Sequence, residues 1–254
     1  MKNKKIKIPR LIMIIIGLMA ISFIIIFLLK MNGSSSINNI NSYDNTVDLK
    51  QDDETEILIS NENSYLIDND RDYDWYYDQY ECGDDRYGAC VPTTISMVLR
   101  WRSEEYTLSL EEFLNKYHPG DNSNMSYLEM ETIFENEEVD FIESKNYEID
   151  DIVSYLKEDS IAVILLDMTK IDNQDYSESK IGKYYSTDYV AYHSIIIKGY
   201  TLIDDIEYFQ VYDPIGGSYV SNDGSKKGIN QMYNALQIYN AIKNGYRKIW
   251  IING

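Results

Sequence analysis

The stretch "YGACVPTTISMVLRW", residues 87–101, decides how the rest of the chain is read. Pro92 follows Cys90 by two positions, and proline is favoured in the first turn of a helix, where its missing N–H has no partner to lose. Ile95, Val98 and Leu99 then recur at helical spacing. The pattern predicts a helix over residues 91–102 with Cys90 at or just before its start. The positive end of a helix dipole favours a thiolate there and lowers the thiol pKa. The small residues Gly88 and Ala89 suit a tight, accessible turn.

A nucleophilic thiolate needs a base, and the chain has two histidines. His118, in "KYHPGDN", reads as an exposed residue at a helix end. His193 opens the apolar run "HSIIIKGY", which has strand character. A second strand, "EYFQVYDP", follows after "TLIDDI" and leads to Asp213. If His193 and Asp213 face each other on an antiparallel hairpin, its midpoint is Ile203, within that turn-like segment. The carboxylate would then orient the imidazole and stabilise its charged form. Gln79, eleven residues before Cys90, supplies a side-chain amide that with the Cys90 N–H could bind an oxyanion.

Other elements follow from local signals. Ser109 with Glu112, and Ser126 with Glu129, have capping-box spacing at two helix starts. Ile149, Ile152, Val153 and Leu156 share one helical face. "IAVILLDM" (161–168) and "RKIWIING" (247–254) read as strands, and "NALQIYNAIKNG" (234–245) as a late helix. Residues 169–189 read as a long surface loop. Helices first and strands later, joined by short links, predict an α+β domain with N-terminal helices packed on an antiparallel sheet.

The N-terminal part differs in kind. Residues 1–10 are a basic tail with five Lys or Arg and no acid, and residues 11–29 carry no charge. Nineteen residues at ~1.5 Å each make roughly 29 Å of helix, about a bilayer core. The pattern predicts an uncleaved transmembrane anchor in preference to a signal peptide, whose apolar core is shorter. The basic flank places the rest of the chain outside the cell, or secreted if the segment is cleaved. Residues 30–70 read as a polar tether with a short strand possible at 56–60, and 71–254 as one domain.

The whole chain carries a formal charge of −19. That excludes sequence-independent nucleic-acid binding, which needs a basic surface, and favours basic substrates by steering. With two Cys and two His already placed, no standard metal-ligand spacing is found, and no cofactor is expected. "DNDRDYD" lacks the full spacing of a calcium loop. A Cys82–Cys90 disulfide is a competing reading in an oxidising exterior, and it would remove the nucleophile.

Gln, Cys at a helix start, then His and Asp on later strands is the order of papain-like cysteine peptidases. "GACVPTTISMVLRW", "AYHSIIIKGY" and "VYDPIGG" resemble the Cys, His and Asp-Pro motifs of the family similar to the bacteriocin-leader (double-glycine) processing peptidases. "GINQMYNA" lies where that family often has a helix. The resemblance covers residues 70–254. It implies a papain-like fold and a peptide or protein substrate. It also implies Cys90 as nucleophile, His193 as base and acid, Asp213 as orienting residue and Gln79 as oxyanion donor. Val91 stands where the family often has Gly or Glu, and Cys82 is an addition. An acyltransferase using the same triad, or a silent domain binding peptides or cell-wall material, would share these features.

Overall fold

A computed structural model describes residues 66–119, 124–145, 147–173, 180–186, 192–217, 219–220, 224, 226–244 and 247–254. The expected anchor at 11–29 and strand at 56–60 lie outside them. Five α-helices and seven strands are present among the described residues. The helices are α1 (Cys90–Arg102), α2 (Leu110–Tyr117), α3 (Tyr127–Asn136), α4 (Ile149–Leu156) and α5 (Ala235–Asn244). The strands are β1 (Leu66–Asp68), β2 (Phe141–Ser144), β3 (Ser160–Asp167), β4 (Tyr192–Ile203), β5 (Ile206–Tyr212), β6 (Gln231–Asn234) and β7 (Ile249–Asn253).

The strands form one sheet in the order β2-β7-β3-β4-β5-β6, with β1 alongside β4. Every pairing is antiparallel. Helices cover both faces: the first three pack on one, and α4 with the expected late helix α5 on the other. On one side Ile95 and Val98 of α1, Phe113 of α2 and Met130 and Phe134 of α3 meet Ile161, Val163, Trp250 and Ile252. On the other, Ile152 and Leu156 of α4 and Ile238 and Ile242 of α5 meet Ala162, Ile164, Leu166, Ile249 and Ile251. Alternate residues of β3 and β7 therefore face two separate cores. A strand buried on both faces reads as an unbroken apolar run, which is what "IAVILL" and "IWII" are.

The helix starts are set locally. Ser109 Oγ accepts the Glu112 N–H (3.2 Å), and the Glu112 carboxylate accepts the Ser109 N–H (2.8 Å). Ser126 and Glu129 repeat the arrangement at α3. Each box satisfies two N–H groups that the helix itself cannot.

Three segments differ from the sequence reading. Residues 66–68, read as part of the tether, belong to the sheet: β1 pairs with Gly199–Thr201 of β4. The reason is Lys198, fully buried at a β-bulge, whose ammonium meets Asp68 and, at 3.1 Å, Asp70. A buried cation requires such partners. In the expected surface loop, Ile171, Lys183, Tyr184 and Tyr185 are buried. Within "GINQMYNA" the chain forms β6 before α5 starts at Ala235.

Candidate active site

Cys90 is the first residue of α1 and lies partly exposed. Thr94 ties this helix start to the sheet, its hydroxyl donating to the Cys90 carbonyl (2.8 Å) and approaching that of Ser194 (3.4 Å). His193 is the second residue of β4, opposite Leu166 of β3, and only 5% exposed. Its Nε2 lies 2.7 Å from Asp213 Oδ1. The ring's other side hydrogen-bonds Cys90, and Nδ1 is the nitrogen left for it.

The β4–β5 hairpin makes this meeting possible. Its turn is Asp204–Asp205, both at positive φ (51° and 62°), inside "TLIDDI". Two residues in the left-handed region are the mark of a tight hairpin turn, and Asp tolerates that region. The register pairs Ile196 with Tyr212, so Asp213 falls beside Ile195, not directly opposite His193. The two-residue offset leaves both side chains on the same side of the sheet, whereas a slip of one would have separated them.

Asp213 is fully buried, one residue past β5. Its Oδ1 also accepts the Ile215 N–H (3.0 Å). Its Oδ2 accepts the hydroxyls of Tyr233 (2.7 Å) and Tyr185 (3.1 Å). Burial pushes the Asp213 carboxyl up, but His193 and these donors outweigh it and hold its pKa below the ordinary value. Burial likewise pushes the imidazolium down, and the Asp213 charge, with Cys90, raises it to about 10. Burial pushes the Cys90 thiol up, yet the His193 hydrogen bond and charge bring it below its ordinary value. The three groups thus favour a thiolate beside an imidazolium. Tyr185 and Tyr233, whose own pKa values burial raises well above the ordinary range, stay protonated as donors.

An open cleft of about 490 Å³ lies against Cys90, lined also by Val91, Met125, Ser126, Leu165 and Tyr192. Gln79 is buried at the start of the 3-10 helix Gln79–Tyr87, and its N–H donates to the Pro214 carbonyl (2.9 Å). Cys82 lies in the same 3-10 helix, and no disulfide joins it to Cys90. His118 caps the end of α2 and lies 3.1 Å from Glu129 of α3, an ion pair when protonated. No group of acidic, Cys and His side chains suited to a metal ion occurs among the described residues. Tyr185, Tyr233 and Asp78 escaped the sequence reading. Only the Gly-Gly of "VYDPIGG", a place where backbones approach closely, hinted at the last.

Against known proteins, the model of the Peptidase C39 like family matches residues 72–245. A crystal structure from Bacillus anthracis, described as a C39-like peptidase, is similar at 11% identity and a TM-score of 0.41. The match covers 66% of this chain and 89% of that one. No curated protein matches the sequence.

Proposed function

The chain belongs to the Peptidase C39 like family, and from that premise we propose that it is a membrane-anchored extracellular cysteine peptidase. The observation that carries the reading is the His193 imidazole held between a buried, fully hydrogen-bonded Asp213 and a partly exposed Cys90 at an open cleft.

In this reading the Cys90 thiolate attacks the carbonyl carbon of a peptide bond in the cleft. The carbonyl oxygen takes the electron pair and is met by the Cys90 N–H, which as the first of α1 has no acceptor within the helix, and by the Gln79 amide. His193 gives its Nδ1 proton to the leaving nitrogen, the C–N bond breaks and a thioester remains. The imidazole then takes a proton from water, whose oxygen attacks the thioester carbonyl. The C–S bond breaks, the acid leaves and the thiolate–imidazolium pair is restored. Asp213 keeps its charge throughout and orients the ring. The anchor at 11–29 and the basic tail before it support placement on the outer face of a membrane.

The test is a peptide-library digest with wild type and Cys90→Ala. Cleavage by the first and none by the second is expected. Cleavage by both removes Cys90 from the reaction. Peptides bound but uncleaved by wild type point to the silent binding domain. Protease treatment of intact cells should remove residues 71–254, and their full protection would contradict the topology.

A further inference from the structure

Residues 76–79 are stitched to the turn at 213–217. The Tyr76 hydroxyl donates to the Asp213 carbonyl (2.8 Å), and the Gln79 N–H to the Pro214 carbonyl (2.9 Å). Between them Asp78, 3% exposed, accepts the Gly217 N–H on Oδ2 (2.6 Å). Its Oδ1 accepts the N–H groups of Tyr80 (3.0 Å) and Gly216 (3.3 Å). The Lys226 ammonium stands 3.9 Å away and pairs with Glu81 at 2.7 Å. A buried carboxylate must be satisfied by donors, and backbone N–H groups supply most of them here. The fit is close: a Cβ on Gly216 would lie 2.5 Å from Asp78 Oδ2 and 2.7 Å from the Tyr76 hydroxyl.

These bonds join the two parts of the site that no single element holds together. Gln79 follows Asp78 directly, and Asp213 lies three residues before Gly216. We propose that Asp78 is a positioning residue that fixes Gln79 relative to the His193–Asp213 pair, so that amide hydrolysis depends on it and thiolate formation does not. The proposal rests on Gln79 acting as oxyanion donor. An oxyanion donor acts only when held within hydrogen-bond reach of the developing charge, and a misplacement of ~1 Å lowers the rate by roughly a hundredfold. In Asp78→Asn one oxygen becomes an NH₂ group, which cannot accept a glycine N–H.

Two reactions of the same sulfur separate the roles. In alkylation by iodoacetamide the thiolate displaces iodide at a saturated carbon, forming a C–S bond with no oxyanion. Peptide hydrolysis needs both thiolate and oxyanion donor. Full-length wild type, Asp78→Asn, Gly216→Ala and Gln79→Ala are compared in both, using a fluorogenic peptide taken from the library digest. Asp78→Asn should lower kcat roughly 10- to 100-fold, leaving KM and the pH profile of Cys90 alkylation in place. Should that variant not fold, Gly216→Ala, which forces the same contact apart, is read by the same criteria. An unchanged kcat overturns the proposal, as does an alkylation profile that shifts with activity, since Asp78 would then act through the thiolate. An unchanged kcat in Gln79→Ala instead removes the oxyanion reading. A wild type that cleaves nothing removes the peptidase reading itself.

Discussion

Replacing Asp213 by Asn changes the charge at the centre of the site while keeping its shape. Asp213 Oδ1 sits 2.7 Å from His193 Nε2, with both side chains buried. Two unit charges ~4 Å apart in an effective dielectric of ~20 attract by about 4 kcal/mol. At ~1.4 kcal/mol per pKa unit that is about 3 units, in line with an imidazolium raised from 6.5 to about 10. The Asn oxygen recovers part of this, so the His193 pKa should fall by roughly 1–3 units. The thiol loses its charged neighbour over the same range, and the midpoint of iodoacetamide alkylation at Cys90 should move up in pH. Stability should fall too, because the Tyr185 and Tyr233 hydroxyls lose a charged acceptor. At roughly 1–3 kcal/mol for a buried group left unsatisfied, and ~2–4 °C per kcal/mol in a domain this size, Tm should drop by about 2–12 °C. The sign with pH is set by the shifts. The raised His193 stabilises fully below its ordinary value of 6.5 and loses that contribution as pH climbs toward about 10. The depressed Asp213 contributes above its ordinary 3.8 and loses it as pH falls further. The Tm difference should therefore be widest between these two ordinary values and narrow on either side. An Asp213→Asn protein with the wild-type alkylation midpoint and an unchanged Tm would mean that the Asp213 charge does not hold the His193–Cys90 pair.

Two further changes test the scaffold. Lys198→Ala leaves Asp68 and Asp70 without their cation and a void at the bulge. Breaking a buried pair costs ~3–5 kcal/mol, reduced here to about 2–4 because both carboxylates are partly exposed. Urea unfolding should show the loss, and Lys198→Met, which keeps the volume but also removes the cation, should lose most of it too; a Lys198→Met protein as stable as wild type would contradict the role given to the pair. Trp250 is fully buried, stacks on Tyr127 at 4.5 Å and donates to Glu131 (2.8 Å). Trp250→Ala should cost about 3–5 kcal/mol by the same measurement, and a loss under about 1 kcal/mol would mean the core around it collapses without penalty.

Features fixed by neighbours in sequence were the ones legible there. The start of α1 at Cys90 follows from Pro92 and the apolar spacing, and the starts of α2 and α3 from their Ser and Glu pairs. The approach of Asp213 to His193 was legible because the turn residues of "TLIDDI" are local too. Its register was not, since the bulge at Lys198 and the tight Asp204–Asp205 turn carry no periodic signal. β1 was hidden for a related reason: "LID" is short, and its place depends on a lysine 130 residues away. Tyr185 and Tyr233 reach Asp213 from a segment read as loop and from a four-residue strand at the sheet edge. Tyrosines are abundant in this chain, so neither stood out by composition.

An acyl-enzyme on the Cys90 sulfur, if the chain is a cysteine peptidase, can be trapped directly. Wild type is mixed with a peptide p-nitrophenyl ester, quenched in acid within the first turnover and measured by intact mass and peptide mapping. One acyl group is expected, carried on the peptide containing Cys90 and absent in Cys90→Ala. Ester consumed with the acyl group on another residue, or consumed equally by Cys90→Ala, would contradict this role of Cys90.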